Sequence, residues 1–229
     1  DLLGIDKAKA NELRSPRGAN LFRSGVTFKP RRIARFSGPL GGGWKTFDLK
    51  ESSLDDQESD PFRNVFGFRY DAAEVIASKA NGLHYFAVFD SKGKRQDEVP
   101  ADVARDTSDP AATDARLIPL LSCVRCHVED GLRPFTNDQR KLLEVGADVY
   151  SEDPDRAARG AGFYLRPLDR YLFRDQEDYA EAVINATGML ESAELPATLA
   201  LMVREFAYDL VTPERACRDL GIAYPDGAA

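Results

Sequence analysis

The chain has 229 residues, 43% of them apolar and 30% charged, with a net charge of −7. That is the composition of an ordinary globular protein with enough apolar material for one sizeable core, and it excludes a disordered or collagen-like chain. No run approaches the eighteen or so apolar residues that span a bilayer, and the opening residues lack the charged-then-apolar pattern of a signal segment.

The charge is unevenly placed. Residues 1–36 carry nine Lys or Arg against three acids, and the remainder carries 22 against 35, so a +6 opening segment precedes a −13 body. This reads as a basic N-terminal arm over 1–36 that docks on its own acidic body, ahead of one domain over 37–229. Nucleic acid is not an expected partner, because the basic stretch has no recognition motif and the body would repel phosphates. Gly38 to Thr46 nearly spells a phosphate-binding loop, but Trp44 separates the last glycine from Lys45, so a turn is expected.

Residues 37–105 have the pattern of strands. Val65–Tyr70, Glu74–Ser78 and Leu83–Phe89 are rich in aromatic and β-branched residues. Asn81-Gly82 is a two-residue hairpin signal, and Asp90-Ser91-Lys92-Gly93 closes the next turn. An antiparallel meander is the expectation.

Residues 115–222 change to helical periodicity, beginning with a short helix through Leu120 and Leu121. Thr136 with Gln139 forms a capping box for a helix reaching about Val149. Asp178–Thr187 is the next helix, ending at Gly188, and Pro196–Leu210 follows with Leu199, Met202, Val203, Phe206 and Leu210 on one face. Thr212-Pro213 starts the last, which stops near Gly221. The fold class is therefore α+β, a sheet followed by a helical half.

Cys123-Val124-Arg125-Cys126-His127 lies where the two halves meet. Cys-x-x-Cys-His is the attachment signal of a c-type haem: two thiols one helical turn apart add to the two vinyl groups, and the adjacent histidine ligates the iron. With three cysteines and two histidines in the whole chain, the pattern does not arise readily by chance. Cys123 and Cys126 are the expected thioether links and His127 the proximal ligand. Zinc held by Cys123, Cys126, Cys217 and His84 or His127 is the first alternative, weakened by the lack of a second closely spaced ligand pair. A redox dithiol is the other, and it gives no reason for the histidine.

The sixth iron ligand decides between electron transfer and ligand binding. His84, in a strand with Phe86 and Val88, and Met189, just after Gly188, are the candidates; Met202 belongs to an apolar stripe and is expected in a core. Arg125, Arg133 and Arg166 are candidate partners for haem propionates, because a guanidinium suits a carboxylate. Cys217 is left over and is expected as a buried thiol.

Two resemblances add to this reading. Arg23-Ser24-Gly25-Val26, Trp44-Lys45-Thr46-Phe47-Asp48, Asn81-Gly82-Leu83 and Ser122 to His127 resemble the planctomycete-type mono-haem cytochrome c domains of larger secreted proteins, over most of residues 20–222. That resemblance implies an extracytoplasmic, periplasmic or secreted c-type cytochrome module that exchanges electrons with a redox partner protein or with other domains of a larger chain. A sheet followed by Cys-x-x-Cys-His is also similar in layout to the cytochrome P460 and cytochrome c′-beta group, which implies the rival function: an open iron that binds NO or CO, or reduces peroxide.

Overall fold

The computed structural model describes residues 17–38, 40–64, 68–107, 116–127, 131–144, 160–188, 198, 201 and 211–223. A six-stranded antiparallel sheet occupies the N-terminal part, its spatial order following chain order: β1 (Arg17–Leu21), β2 (Arg31–Gly38), β3 (Gly41–Asp48), β4 (Ala72–Ser78), β5 (His84–Asp90) and β6 (Arg95–Gln96). The helices follow: α1 (Leu121–His127), α2 (Asp138–Glu144), α3 (Asp169–Thr187) and α4 (Pro213–Asp219). The α+β class expected from the periodicity is the one observed.

The hairpins close as their turn residues dictate. Between β4 and β5, Gly82 N–H donates to Lys79 O at 3.0 Å and Lys79 N–H to Leu83 O at 2.8 Å, with Gly82 at φ +81°. Between β5 and β6, Gly93 and Asp90 repeat the arrangement, with Gly93 at φ +78°. Both are three-residue loops that end on a left-handed glycine, so the β4–β5 loop is one residue longer than the two-residue turn expected at Asn81-Gly82. The turn expected over Gly38 to Thr46 is confined to its start, with Gly38 opposite Gly41; Gly41 to Thr46 belong to β3 and pair with β2.

Three expectations are corrected. Residues 17–36, read as part of a basic arm, supply β1 and most of β2. Arg31 and Arg35 are inside because remote carboxylates meet them: Arg31 pairs with Asp48 at 2.7 Å and with Glu74 at 3.1 Å, and Arg35 with Asp175 at 2.9 Å. Second, Phe68 to Tyr70 are not a strand; residues 65–67 lie outside the described part. The aromatic rings here lie against strand residues instead, Tyr70 edge-on to Phe47 at 4.9 Å and Phe68 under the Arg32 guanidinium at 4.7 Å. Third, Asn137 rather than Thr136 caps α2, its Oδ1 accepting from Arg140 N–H at 3.2 Å, while Gln139 is wholly buried and accepts from Asn20 Nδ2 at 3.0 Å.

The third helix begins nine residues before the expected Asp178 and ends, as expected, on left-handed Gly188. Thr212 caps α4, accepting from Arg215 N–H at 3.2 Å. The expected Pro196–Leu210 helix, with Met202, lies outside the described residues apart from Thr198 and Leu201, both helical.

The largest core cluster joins the two halves: Ala19, Leu21, Ile33 and Trp44 of the sheet meet Leu132, Leu168 and Leu172. A second cluster, with Ala72, Val88, Val99, Val103, Ala104 and Leu117, seats the connection that leads into α1. Burial of this kind stabilises by about 25 cal/mol for each Å² of apolar surface.

Candidate functional site

Alternate residues of four strands build one wall. The pairing aligns Ile33, Thr46, Glu74 and Val88 in one row and Trp44, Ile76 and Phe86 in the next. Because strand side chains alternate with period two, all of them share a face. That face and α1 enclose a cavity of about 590 Å³, within the range of cofactor sites. Cys123, Cys126 and His127 all line it, together with Leu132, Phe135 and Leu172.

The cysteines reach one cavity because α1 puts residues three apart on one face. Leu120, at φ +70°, turns the chain into the helix, and Ser122 Oγ accepts from Ile118 N–H at 3.0 Å. The Cys123 thiol is pushed up to about 12, chiefly by burial and further by the Glu74 carboxylate. His127 Nδ1 lies 2.9 Å from Gly131 O, so Nδ1 carries the proton and Nε2 keeps its lone pair for a metal. Burial lowers the His127 pKa, which favours the neutral, ligating form.

The donor set suits a c-type haem: two thiols, one oriented imidazole and a largely apolar wall around a single cavity of sufficient size. Among the described residues, no three His, Cys, Asp or Glu side chains are grouped to hold a bare metal ion.

The other candidates are distributed as follows. His84 is half-buried and is not among the residues lining the cavity. Its ring stacks on Tyr179, centroids 4.3 Å apart, and burial, with His127 nearby, lowers its pKa to about 4. Met189 lies outside the described residues, as does the side chain of Arg125. Arg133 lines the cavity and donates from Nε to Cys126 O at 2.8 Å. Arg166 instead lines a neighbouring pocket of about 310 Å³ that shares Phe135, Thr136 and Lys141 with the main cavity. Cys217 is a half-buried free thiol in α4.

Sequence reasoning missed a polar group on the sheet wall. Arg31 donates to Ser24 and Thr46 at 2.9 Å, to Asp48 at 2.9 Å and to Glu74 at 3.1 Å. Glu74 Oε1 has no hydrogen-bond partner. Burial, the largest influence, pushes this carboxyl above its ordinary value against the pull of Arg31. The signal in the sequence was a lone acid in the otherwise small and apolar run Ala72-Ala73-Glu74-Val75-Ile76-Ala77.

Comparison with protein-family models, curated proteins and solved structures finds no match to this chain. Among the described residues, no helix is long and apolar enough to cross a membrane.

Proposed function

We propose that this domain carries one covalently attached haem c and works in electron transfer outside the cytoplasm. The observation that supports this reading is the convergence of Cys123, Cys126 and His127 on one cavity of about 590 Å³ whose far wall is the Trp44, Ile76 and Phe86 face of the sheet. Cys123 and Cys126 would hold the haem by thioether bonds, and His127, oriented by Gly131 O, would ligate its iron. Arg23, Arg31 and Arg133 all line the cavity; Arg31 is engaged by Asp48 and Glu74, and Arg133 is the one of the expected propionate partners found there, with Lys141 adding positive charge at the wall. A bound haem supplies a one-electron Fe(III)/Fe(II) couple. The protein's part is to hold it in a mostly apolar setting, where burial and nearby dipoles tune its potential. The extracytoplasmic location follows from the haem attachment itself, which bacteria carry out on the outer side of the cytoplasmic membrane.

A second reading has its own supporting observation. Among the described residues lining the cavity His127 is the one histidine, and Glu74 and Thr46 place polar groups on the sheet wall. A haem whose sixth position is open or weakly held would bind NO or CO, or reduce peroxide, as the P460-like layout implies.

Absorption spectra separate these readings. Protein made in a host that matures c-type haem is expected to show a c-type reduced spectrum. A reduced spectrum that ignores CO supports electron transfer, and one that shifts under CO supports the second reading. Protein that contains zinc and no iron overturns both in favour of a zinc-stabilised interaction domain.

A further inference from the structure

On the sheet wall one buried guanidinium serves two acids. Arg31 pairs with Asp48 at 2.7 Å and with Glu74 at 3.1 Å. Buried charges are stable when they are balanced, and a proton held by one of the two carboxyls balances this group of three. Hydrogen bonding decides which carboxyl holds it. Asp48 accepts from Arg31 and from Thr46 Oγ1–H, each at 2.9 Å. Glu74 accepts from Arg31, and its Oε1 is enclosed with no hydrogen-bond partner among the described residues. Donors favour the ionised form of a carboxyl, so the proton falls to Glu74. The direction of the Glu74 pKa agrees: burial raises it most, Arg31 opposes the rise and the Asp48 charge adds to it.

The same side chain is part of the cavity lining. Arg31 faces it from β2 and Asp48 from β3, while its β5 partner, Val88, is uncharged. On the α1 side the titratable groups are Cys123, Cys126 and His127, with Asp106 acting on Cys123; a thioether sulfur does not titrate. Arg23, Arg133, Asp138 and Lys141 are the other charged residues of the described lining. The charges that act on Glu74 itself are those of Arg31 and Asp48.

Resting on the proposed haem reading, we propose that Glu74 is a redox-linked proton site: it takes a proton from water as a one-electron donor reduces the haem in the adjoining cavity, and returns it to water on reoxidation. The balance is one electron from the redox partner, converting Fe(III) to Fe(II), and one proton from water, converting the Glu74 carboxylate to the neutral acid. Reduction removes one positive charge from the cavity, so a carboxylate on its wall loses part of the attraction that keeps it ionised. The coupling is reciprocal: protonation of Glu74 favours the electron as much as the electron favours the proton. The domain thereby carries a proton together with its electron.

Midpoint potentials of haem-loaded wild type, Glu74→Gln and Asp48→Asn, followed against pH by optical redox titration, test this. The wild-type potential is expected to fall along one segment of the pH range, by up to about 59 mV for each tenfold drop in proton concentration, the limit of one proton per electron. Glu74→Gln cannot bind the proton and should abolish that segment. Asp48→Asn leaves Arg31 to Glu74 alone and should move the segment to lower pH. A second measurement needs no substitution. The reduced-minus-oxidised infrared spectrum of wild type should gain the carbonyl band of a protonated carboxylic acid, and the band should not move when the haem propionates are 13C-labelled through 5-aminolevulinate. A pH-independent wild-type potential, a segment retained in Glu74→Gln or unmoved in Asp48→Asn, or a band that moves with the propionate label overturns the proton site and leaves the haem reading intact. Wild-type protein without a c-type spectrum overturns the haem reading itself.

Discussion

Gly131 O accepts from His127 Nδ1 at 2.9 Å, and the same glycine is closed in from behind by His84 and Tyr179. A Cβ added at Gly131 would stand 2.6 Å from the Tyr179 ring and 2.7 Å from His84 Cε1, on a residue whose φ is +66°. Gly131→Ala is therefore expected to destabilise the fold by about 1–3 kcal/mol, from overpacking and a left-handed backbone. It should also alter the absorption spectrum of the haem-loaded protein by moving the carbonyl that orients His127. Urea unfolding and a reduced spectrum check both; an unchanged unfolding midpoint would show that the pocket around Gly131 yields freely.

Asp175 should be costly to neutralise. It is 5% exposed and accepts from both Arg35 and Trp44, so Asp175→Asn leaves a buried guanidinium without its counter-charge. A loss of about 3–5 kcal/mol is expected. Arg35→Met in the Asp175→Asn background should recover part of it, because the stranded charge is then gone. If the double variant is no more stable than the single, the penalty does not come from Arg35.

Stability should fall as the haem-free protein is acidified through the range where buried histidines must ionise. The folded-state pKa of His84 is lowered to about 4 from an unfolded value of about 6.5. A base whose folded pKa is depressed favours the fold in its neutral form. Its contribution is complete above the unfolded pKa and is lost as pH falls from about 6.5 towards 4, reaching roughly 3 kcal/mol. His127, lowered by the same burial, acts in the same direction. His84→Phe should flatten this dependence, and unfolding free energies with the same slope in both proteins would rule His84 out as its source.

Cys123 should resist alkylation in the folded haem-free protein. With its thiol at about 12, the thiolate fraction at pH 8 is about one in ten thousand, whereas an unperturbed thiol near 8.5 is about a quarter ionised. Iodoacetamide labelling followed by peptide mass mapping should find Cys123 reacting at least about a hundredfold more slowly in buffer than in urea. Equal rates would mean that the cavity wall does not shield the thiol.

What was legible in the sequence follows from local chemistry. The β4–β5 and β5–β6 turns needed only their glycines, and the placing of Cys123 and Cys126 on one face of α1 needed only their spacing. The first two strands were not legible, because Arg31 and Arg35 stand on the inward face of β2 beside Ile33, and arginine at alternate positions reads as surface. Their partners, Asp48, Glu74 and Asp175, are 17, 43 and 140 residues away, and no local pattern reports such distances. The early start of α3 was hidden similarly: the buried face of its first turns includes Asp175 as well as Leu172. The cavity wall became visible only with the register, which places Trp44, Glu74 and Phe86 on one side.

The strand order has a consequence for assembly. Each strand pairs with its immediate predecessor in the chain, so sheet pairing is complete by Gln96 and calls on nothing C-terminal to it. A polypeptide emerging from its N-terminus can thus lay down the whole platform while Cys123 and Cys126 are still to come. Such neighbour-to-neighbour pairing closes only short loops and is kinetically favourable. On the proposed haem reading, Cys123 and Cys126 would meet the cofactor after the platform exists and before α3 packs Leu172 against Trp44. On the proposed reading, haem attachment would then be a matter of timing: a maturation enzyme working on the exposed α1 segment would have a ready-made surface on which to set its product down.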